Sequence, residues 1–280
     1  MPPRRRFAEE TTSRLASWAR RIAVFALLTA LLSIIIERAG IFEIMPVLAT
    51  FGASLVLAVF AILLAFAAFV VIWRQGYKGL GQAVLALLIG AALLAYPGWL
   101  GIKAYRLPMI ADITTDAIDP PRYEAIARLR TRQANPVAYA GLYAAELQKS
   151  AYPDIEPLVV TIPPRAAFEA TRALVVKRRW QIINERAPDR RDGVIEAVAR
   201  TPIMGFRDDV IIRFRAVPDG TRIDARSSSR YGRHDFGTNA ARLRALIEDI
   251  DTATTVDKTE QPQRPAKPQP ANKPPQPARR

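Results

Sequence analysis

Three apolar stretches without a single charged residue dominate the first 106 residues and decide what this chain can fold into. Ile22 to Ile36 lies between Arg21 and Glu37, Ile44 to Trp73 between Glu43 and Arg74, and Gly79 to Ile102 between Lys78 and Lys103. A helix that crosses about 30 Å of hydrocarbon needs about 20 mostly apolar residues. The second and third stretches meet that requirement alone. The first meets it with Leu15, Ala16 and Trp18, while Arg20 and Arg21 turn their charged ends toward the interface. A cleaved leader would need a small-x-small site after the first stretch, where Glu37-Arg38-Ala39-Gly40 stands instead. Three spanning helices are therefore expected within residues 22–106, with the lipid bilayer as the first partner.

Basic residues near the span ends set the expected orientation. Arg4, Arg5, Arg6, Arg14, Arg20 and Arg21 precede the first span and predict a cytoplasmic N-terminus over residues 1–21. The first loop holds Arg38 against Glu37 and Glu43, and the second carries Arg74 and Lys78. Three crossings then put everything after Lys103 on the far side, which in a bacterial inner membrane is the periplasm. Trp73, Tyr96, Trp99 and Tyr105 near span ends fit an interfacial aromatic belt. Within the spans Gln82 is polar and no acid or base is buried, which argues against proton-coupled transport and for anchoring. Gly52, Ala53, Gly90, Ala91 and Ala92 offer small positions for close helix packing.

The formal net charge of +14 does not imply nucleic acid, because much of the excess sits in the N-terminal cluster and in a basic tail. The chain has no cysteine and one histidine, so disulfides, thiolate metal sites and multi-histidine centres are excluded, and no cofactor is expected.

Past residue 106 the composition becomes that of a water-facing chain. Residues 107–151 form a connector expected to pack on the domain, extended up to Pro120-Pro121 and then with short helices over Arg122 to Arg132 and Val137 to Ser150. The compact domain is expected over residues 152–251. Its strands are Glu156 to Ile162, Trp180 to Asn184, Val194 to Ala199, Asp209 to Val217 and Thr221 to Arg230. One helix opens at Pro163-Pro164 and buries Phe168, Thr171, Leu174 and Val175, and a second starts near Gly237 and buries Leu243, Leu246, Ile247 and Ile250. The order β-α-β-β-β-β-α predicts an α+β fold in which two helices cover the one apolar face of an antiparallel sheet of about five strands.

At Pro218-Asp219-Gly220 a two-residue Asp-Gly turn predicts Ala216 opposite Ile223 and Phe214 opposite Ala225. That register sets Arg215 against Asp224, Asp209 against Arg230, and Arg213 against Arg226, a like-charge pair that demands a carboxylate nearby, with Asp208 the candidate. Residues 252–280, with seven prolines and six basic residues, are too polar to bury a core and are expected to be a disordered tail.

Several runs in the aqueous part resemble the family called domain of unknown function 1499. They are Pro153-Asp154-Ile155-Glu156-Pro157-Leu158, Gly205-Phe206-Arg207-Asp208-Asp209-Val210, Phe214, Arg226-Ser227-Ser228-Ser229-Arg230, Gly232, Asp235-Phe236-Gly237-Thr238-Asn239 and Arg242. Upstream, Asp112-Ile113-Thr114-Thr115-Asp116 and Asp119-Pro120-Pro121 resemble the lead-in of membrane-anchored members. The resemblance implies a fold and a membrane-anchored setting, and it brings no activity with it.

The candidate binding residues are Asp209, Arg213, Arg226, Ser228, Arg230, Asp235, Asn239 and Arg242. Arg213, Arg226 and Arg230 on one sheet face near a helix N-terminus suggest an anion site, for a small molecule or an envelope protein. Asp235 or Thr238 has a plain alternative role as a helix cap, and Asp–Arg pairs can simply knit the sheet face. An enzyme is the weaker reading. A hydrolase could recruit Ser228 or Ser229 with His234, but a serine run on a strand is no nucleophile elbow.

Overall fold

The computed structural model describes residues 11–260. It opens with three long helices, α1 (Arg14–Ala39), α2 (Ile44–Gln75) and α3 (Leu80–Arg106). All three are long and apolar enough to cross a membrane. At 1.5 Å per residue even the shortest, α1 with 26 residues, exceeds roughly 30 Å of hydrocarbon.

What joins the three helices is a seam of small residues at heptad spacing. Ala16, Ala19, Ala23, Ala26, Ala30 and Ser33 are buried along α1, and Ser54, Ala58, Ala61, Ala65 and Ala68 along α2. Ala83, Ala86 and Gly90 complete it on α3. Steps of three and four place these residues on one stripe, and their size lets the backbones approach closely. Gly90 is required by contact, since an added Cβ would lie 2.6 Å from Ile62 Cγ1 and 3.2 Å from the Ala58 carbonyl oxygen. Gly52 has nothing within 4 Å of that position, so of the two glycines expected to promote packing only Gly90 does so.

Beyond α3 come β1 (Asp112–Thr114), a 3-10 turn (Ile126–Leu129), α4 (Leu142–Ala151), β2 (Leu158–Val160), α5 (Pro164–Lys177), β3 (Gln181–Arg186), β4 (Gly193–Arg200), β5 (Arg207–Val217), β6 (Gly220–Ser229) and α6 (Thr238–Glu260). The sheet is antiparallel throughout, in the order β1-β6-β5-β4-β3, with β2 also paired to β6. The five expected strands and two covering helices are all present. The sixth strand, β1, comes from the connector, which is thus woven into the sheet.

Helices α5 and α6 cover one face of the sheet, where Phe168, Val175, Leu243, Leu246 and Ile250 pack on Ile195, Ala197, Val210, Ile212, Phe214, Ile223 and Ala225. The opposite face is covered too. There the connector lays Tyr123 and Ile126 on Val194, Val198 and Ile211. The expectation of a single apolar face missed this second core, because Val194, Val198 and Ile211 alternate along their strands with Arg213, Glu196 and Asp209, which read as solvent-facing.

The β5–β6 register differs by two residues from the one expected. Val217 pairs with Gly220, Phe214 with Ile223 and Arg213 with Asp224. Pro218 and Asp219 therefore form the turn. Proline's fixed φ suits the first central turn position, whereas the expected register would have put Pro218 in the ladder without an N–H to give. A two-residue shift leaves every side chain on its original face.

Helix α6 runs to Glu260, beyond Asp251, where the domain was expected to end. Thr254 is buried and returns its hydroxyl to the Ile250 carbonyl at 2.8 Å, and the first proline comes only at residue 262. The proline-rich stretch itself, residues 261–280, lies outside the described residues.

The domain is tied back to the spanning helices at the end of α1. Arg38 Nη1 donates to the carbonyls of Pro202 (2.7 Å) and Ile203 (3.0 Å), and Arg200 Nη1 donates to the Arg38 carbonyl (2.7 Å). Gly205, at φ 81°, sits so close to Arg38 that a Cβ there would lie 2.8 Å from Arg38 Cγ.

Candidate functional site

The eight candidate residues do not converge on one site. Alternation along β5 and β6 sends Asp209, Arg213, Arg226, Ser228 and Arg230 to the connector side, while Asp235, Asn239 and Arg242 lie on the side of α6.

On the connector side the arginines are already paired. Asp209 is fully buried and accepts Arg130 Nε at 2.8 Å and Arg230 Nη2 at 2.7 Å. Arg130 also donates to Ser228 Oγ at 3.1 Å. Arg226, only 1 % exposed, grips Asp112 with Nε (2.9 Å) and Nη2 (2.6 Å) and lies 4.8 Å from the Tyr123 ring centroid. Burial works against its charge, but the Asp112 carboxylate outweighs that and raises the Arg226 pKa. Arg213 meets Asp224 at 3.0 Å and Asp119 at 2.9 Å. The carboxylate expected between Arg213 and Arg226 is thus not Asp208. The partners are Asp224, directly opposite Arg213, and connector aspartates that lie about 100 residues upstream.

Asp208 faces the other way and accepts Arg242 Nη2 at 2.5 Å. Arg242 Nη1 donates to Ser227 Oγ (2.9 Å) and Asn239 Oδ1 (2.5 Å), and Asn239 Nδ2 donates to Ser229 Oγ (2.9 Å). Asp235 caps α6, accepting the amides of Gly237 (2.9 Å) and Asn239 (2.8 Å). Burial raises its pKa despite those two bonds.

His234 is engaged at both ring nitrogens. Nδ1 accepts the Phe236 amide at 2.9 Å, Nε2 lies 3.2 Å from the Leu107 carbonyl oxygen, and the ring stacks on Phe236 at 4.7 Å. No hydrogen bond joins His234 to Ser228 or Ser229, whose hydroxyls accept from Arg130 and Asn239. The nucleophile–base contact that a hydrolase requires is not formed here.

The acidic connector carries a testable pH dependence. Burial pushes the Asp116 pKa up. The amides of Asp119 (2.9 Å) and Ile118 (3.1 Å), with Arg222 and Arg213, outweigh it and leave the pKa below the usual value. A carboxylate whose folded pKa is depressed contributes stability above its unfolded pKa of about 3.9 and loses it as pH falls through the folded value. Denaturant unfolding at stepped pH should therefore show Asp116→Asn less stable than wild type above about pH 4, with the gap closing at lower pH. A gap that stays constant with pH rules out this role for the Asp116 charge.

One concavity does draw several functional segments together. A cavity of about 340 Å³ is walled by Ile44 and Leu48 of α2, Tyr96 and Leu100 of α3, and the loops flanking β5 and β6. Met204 and Phe206 with Arg207 and Asp208 at the start of β5 line one side, and Gly232, Arg233, His234 and Asp235 line the other. It lies where the spanning helices meet the aqueous domain.

Residues 112–250 match the model of a family described as protein of unknown function (DUF1499). The aqueous part of the chain belongs to this family. The DUF1499 segment starts at the first residue of β1, so the connector strand is part of the family fold. No curated protein matches the chain. Among solved structures, one similar chain is a protein from Mesorhizobium loti, 11% identical, with a TM-score of 0.28, covering 38% of this chain and 96% of its own. Another, from Nitrosomonas europaea, is 13% identical with a TM-score of 0.19, covering 37% of this chain and 94% of its own. Within the DUF1499 segment, the runs that carry the sequence resemblance divide between two places. Arg226, Arg230, Asp209 and Arg242 hold the sheet together, while Phe206, Arg207, Gly232, Asp235 and Phe236 line the cavity.

Reasoning from sequence missed Arg130 and Asp112, the partners that neutralise the expected anion site, and it missed Glu196. Glu196 is fully buried on the connector side. Its carboxylate accepts the amides of Glu124 (3.1 Å), Ala125 (3.0 Å) and Ile126 (2.9 Å) and the Asn184 side chain (3.1 Å). The available signal was parity. Glu196 falls on the same strand face as Val194 and Val198.

Proposed function

We propose that this chain is a membrane-anchored, non-enzymatic binding module of the bacterial cell envelope. In this reading the N-terminus is cytoplasmic and the DUF1499 domain stands in the periplasm. The observation that carries the binding role is the cavity between the spanning helices and the domain, which gathers apolar walls and a few polar groups as ligand sites do. Support for orientation comes from the arginine-rich segment before α1 and from Arg74 and Lys78 in the second loop.

Because the chain has no cysteine, single cysteines can map it without background. In intact cells a membrane-impermeant maleimide should label Ile118→Cys, a position 99% exposed in the connector, and spare Tyr77→Cys in the loop between α2 and α3 until the membrane is opened. The reverse pattern places the domain in the cytoplasm and overturns the envelope reading.

A further inference from the structure

We infer that the cavity at the membrane boundary receives the phosphate headgroup, and the first methylenes, of an acidic phospholipid. This rests on the binding-module reading and names the ligand class of that cavity. Three observations converge on it.

The first is position. Tyr96 and Leu100 wall the cavity from α3, and between them Trp99 lies 5.7 Å from Tyr96, with Lys103 Nζ 4.1 Å above its ring. An aromatic pair followed by a cation marks the headgroup level of a span. The opening therefore faces lipid headgroups.

The second is charge. Arg207 and Arg233 both line the cavity and are both exposed, and among the described residues neither has an ion-pair partner. The sheet-covering arginines Arg130, Arg213, Arg226, Arg230 and Arg242, by contrast, are each matched to an aspartate. The two carboxylates on the wall are already committed, Asp208 to Arg242 and Asp235 to the first amides of α6. Glu37 and Glu43 line an adjoining pocket that shares Arg207; neither forms a direct ion pair with it, although Glu37 is near enough to feel its charge. Two guanidiniums without a direct ion pair suit a phosphodiester, whose oxygens accept in the planar geometry that arginine offers.

The third is chemistry of the walls. Ile44, Leu48, Leu100, Met204 and Phe206 give an apolar surface that a free phosphate would not use. The volume of about 340 Å³ is small for a ligand site, enough for a headgroup and the start of a chain, with the remaining hydrocarbon left in the bilayer.

The test uses the full-length protein, purified in neutral detergent and offered an equimolar mixture of dioleoyl phosphatidylglycerol and dioleoyl phosphatidylcholine, with bound lipid counted by native mass spectrometry. Wild type should retain the phosphatidylglycerol with a preference of about tenfold, the scale of one charge-assisted contact. Arg207→Gln combined with Arg233→Gln should bring the preference close to one. Both positions are exposed, so the variant should keep the wild-type protease-resistant core. Leu100→Trp, which fills the apolar wall and leaves both guanidiniums in place, should lower retention of phosphatidylglycerol.

Equal retention of the two lipids by wild type, or an unchanged preference in the double arginine variant, overturns the proposal. A glycerol 3-phosphate competitor decides the source of the phosphate. Displacement only at large excess supports the lipid, and displacement at equal concentration assigns a soluble phosphate ester and overturns it. A cytoplasmic result from maleimide labelling would remove the envelope reading and leave this lipid measurement to stand or fall alone.

Discussion

Asp209→Ala should leave the aqueous domain unfolded or nearly so. The substitution strands two guanidiniums, Arg130 and Arg230, whose side chains are 3% and 7% exposed. Removing one partner of a buried ion pair costs about 3–5 kcal/mol, because the remaining charge is left without compensation. Here one carboxylate serves two arginines, so the cost lies at or above the upper end of that range. Set against a total stability of about 5–15 kcal/mol for a domain, that is enough to abolish a folded population.

The comparison variant is Asp154→Ala, which breaks a pair with Arg244 that is about half exposed on both sides and should cost under about 1 kcal/mol. Urea unfolding of the detergent-solubilised protein, followed by limited proteolysis of the domain, separates the two. Comparable midpoints would sink the argument. A further variant isolates the charge itself. Replacing Asp209, Arg130 and Arg230 together with apolar residues should recover much of the loss, since no charge is then buried unpaired.

The second large effect belongs to Glu196→Ala. Three consecutive backbone amides at residues 124–126 and the Asn184 side chain lose their acceptor at once. Each buried donor left unsatisfied costs about 1–3 kcal/mol, so the loss rivals that of Asp209. Its signature differs, however. The connector should detach from the sheet before the domain unfolds, exposing Tyr123 and Ile126, which it holds against Val198 and Ile211. Hydrogen exchange should show residues 122–130 losing protection in this variant while β5 and β6 keep theirs. Uniform loss across the sheet, or none, contradicts an anchoring role for this carboxylate.

These two residues also mark where reading the sequence stopped working. The spanning helices were legible because hydrocarbon tolerates no local charge, and the strands of the β5–β6 hairpin because alternation is a local signal, though their turn was placed one residue too late. Arg130 meets Asp209 across 79 positions, and Arg226 meets Asp112 across 114. No periodicity records such a pairing. Charged residues on the second sheet face looked like a solvated surface, and only the connector lying over them shows that they are interior. That misreading created the expected anion site, because arginines were visible in the sequence and their distant partners were not. The cavity was illegible for a related reason. Its walls come from α2, α3 and two separate loops, and only the loop residues fell within the family resemblance. The small-residue seam was within reach, since Ala16 to Ser33 already shows the steps of three and four.

Strand β6 has an implication for the order in which the protein can be made. It is the partner of β1, β2 and β5, so three of the other five strands have their ladder on it. A ribosome producing about 5–20 residues per second would emit β1 and then work for several seconds before β6 follows it. Throughout that interval Asp112, Asp116 and Asp119 wait without their arginines, and β1 and β2 have no neighbour. The domain therefore cannot assemble piecemeal behind its membrane helices. Any chain interrupted before Ser229 is left as an anchored, unpaired remnant, a natural substrate for proteases.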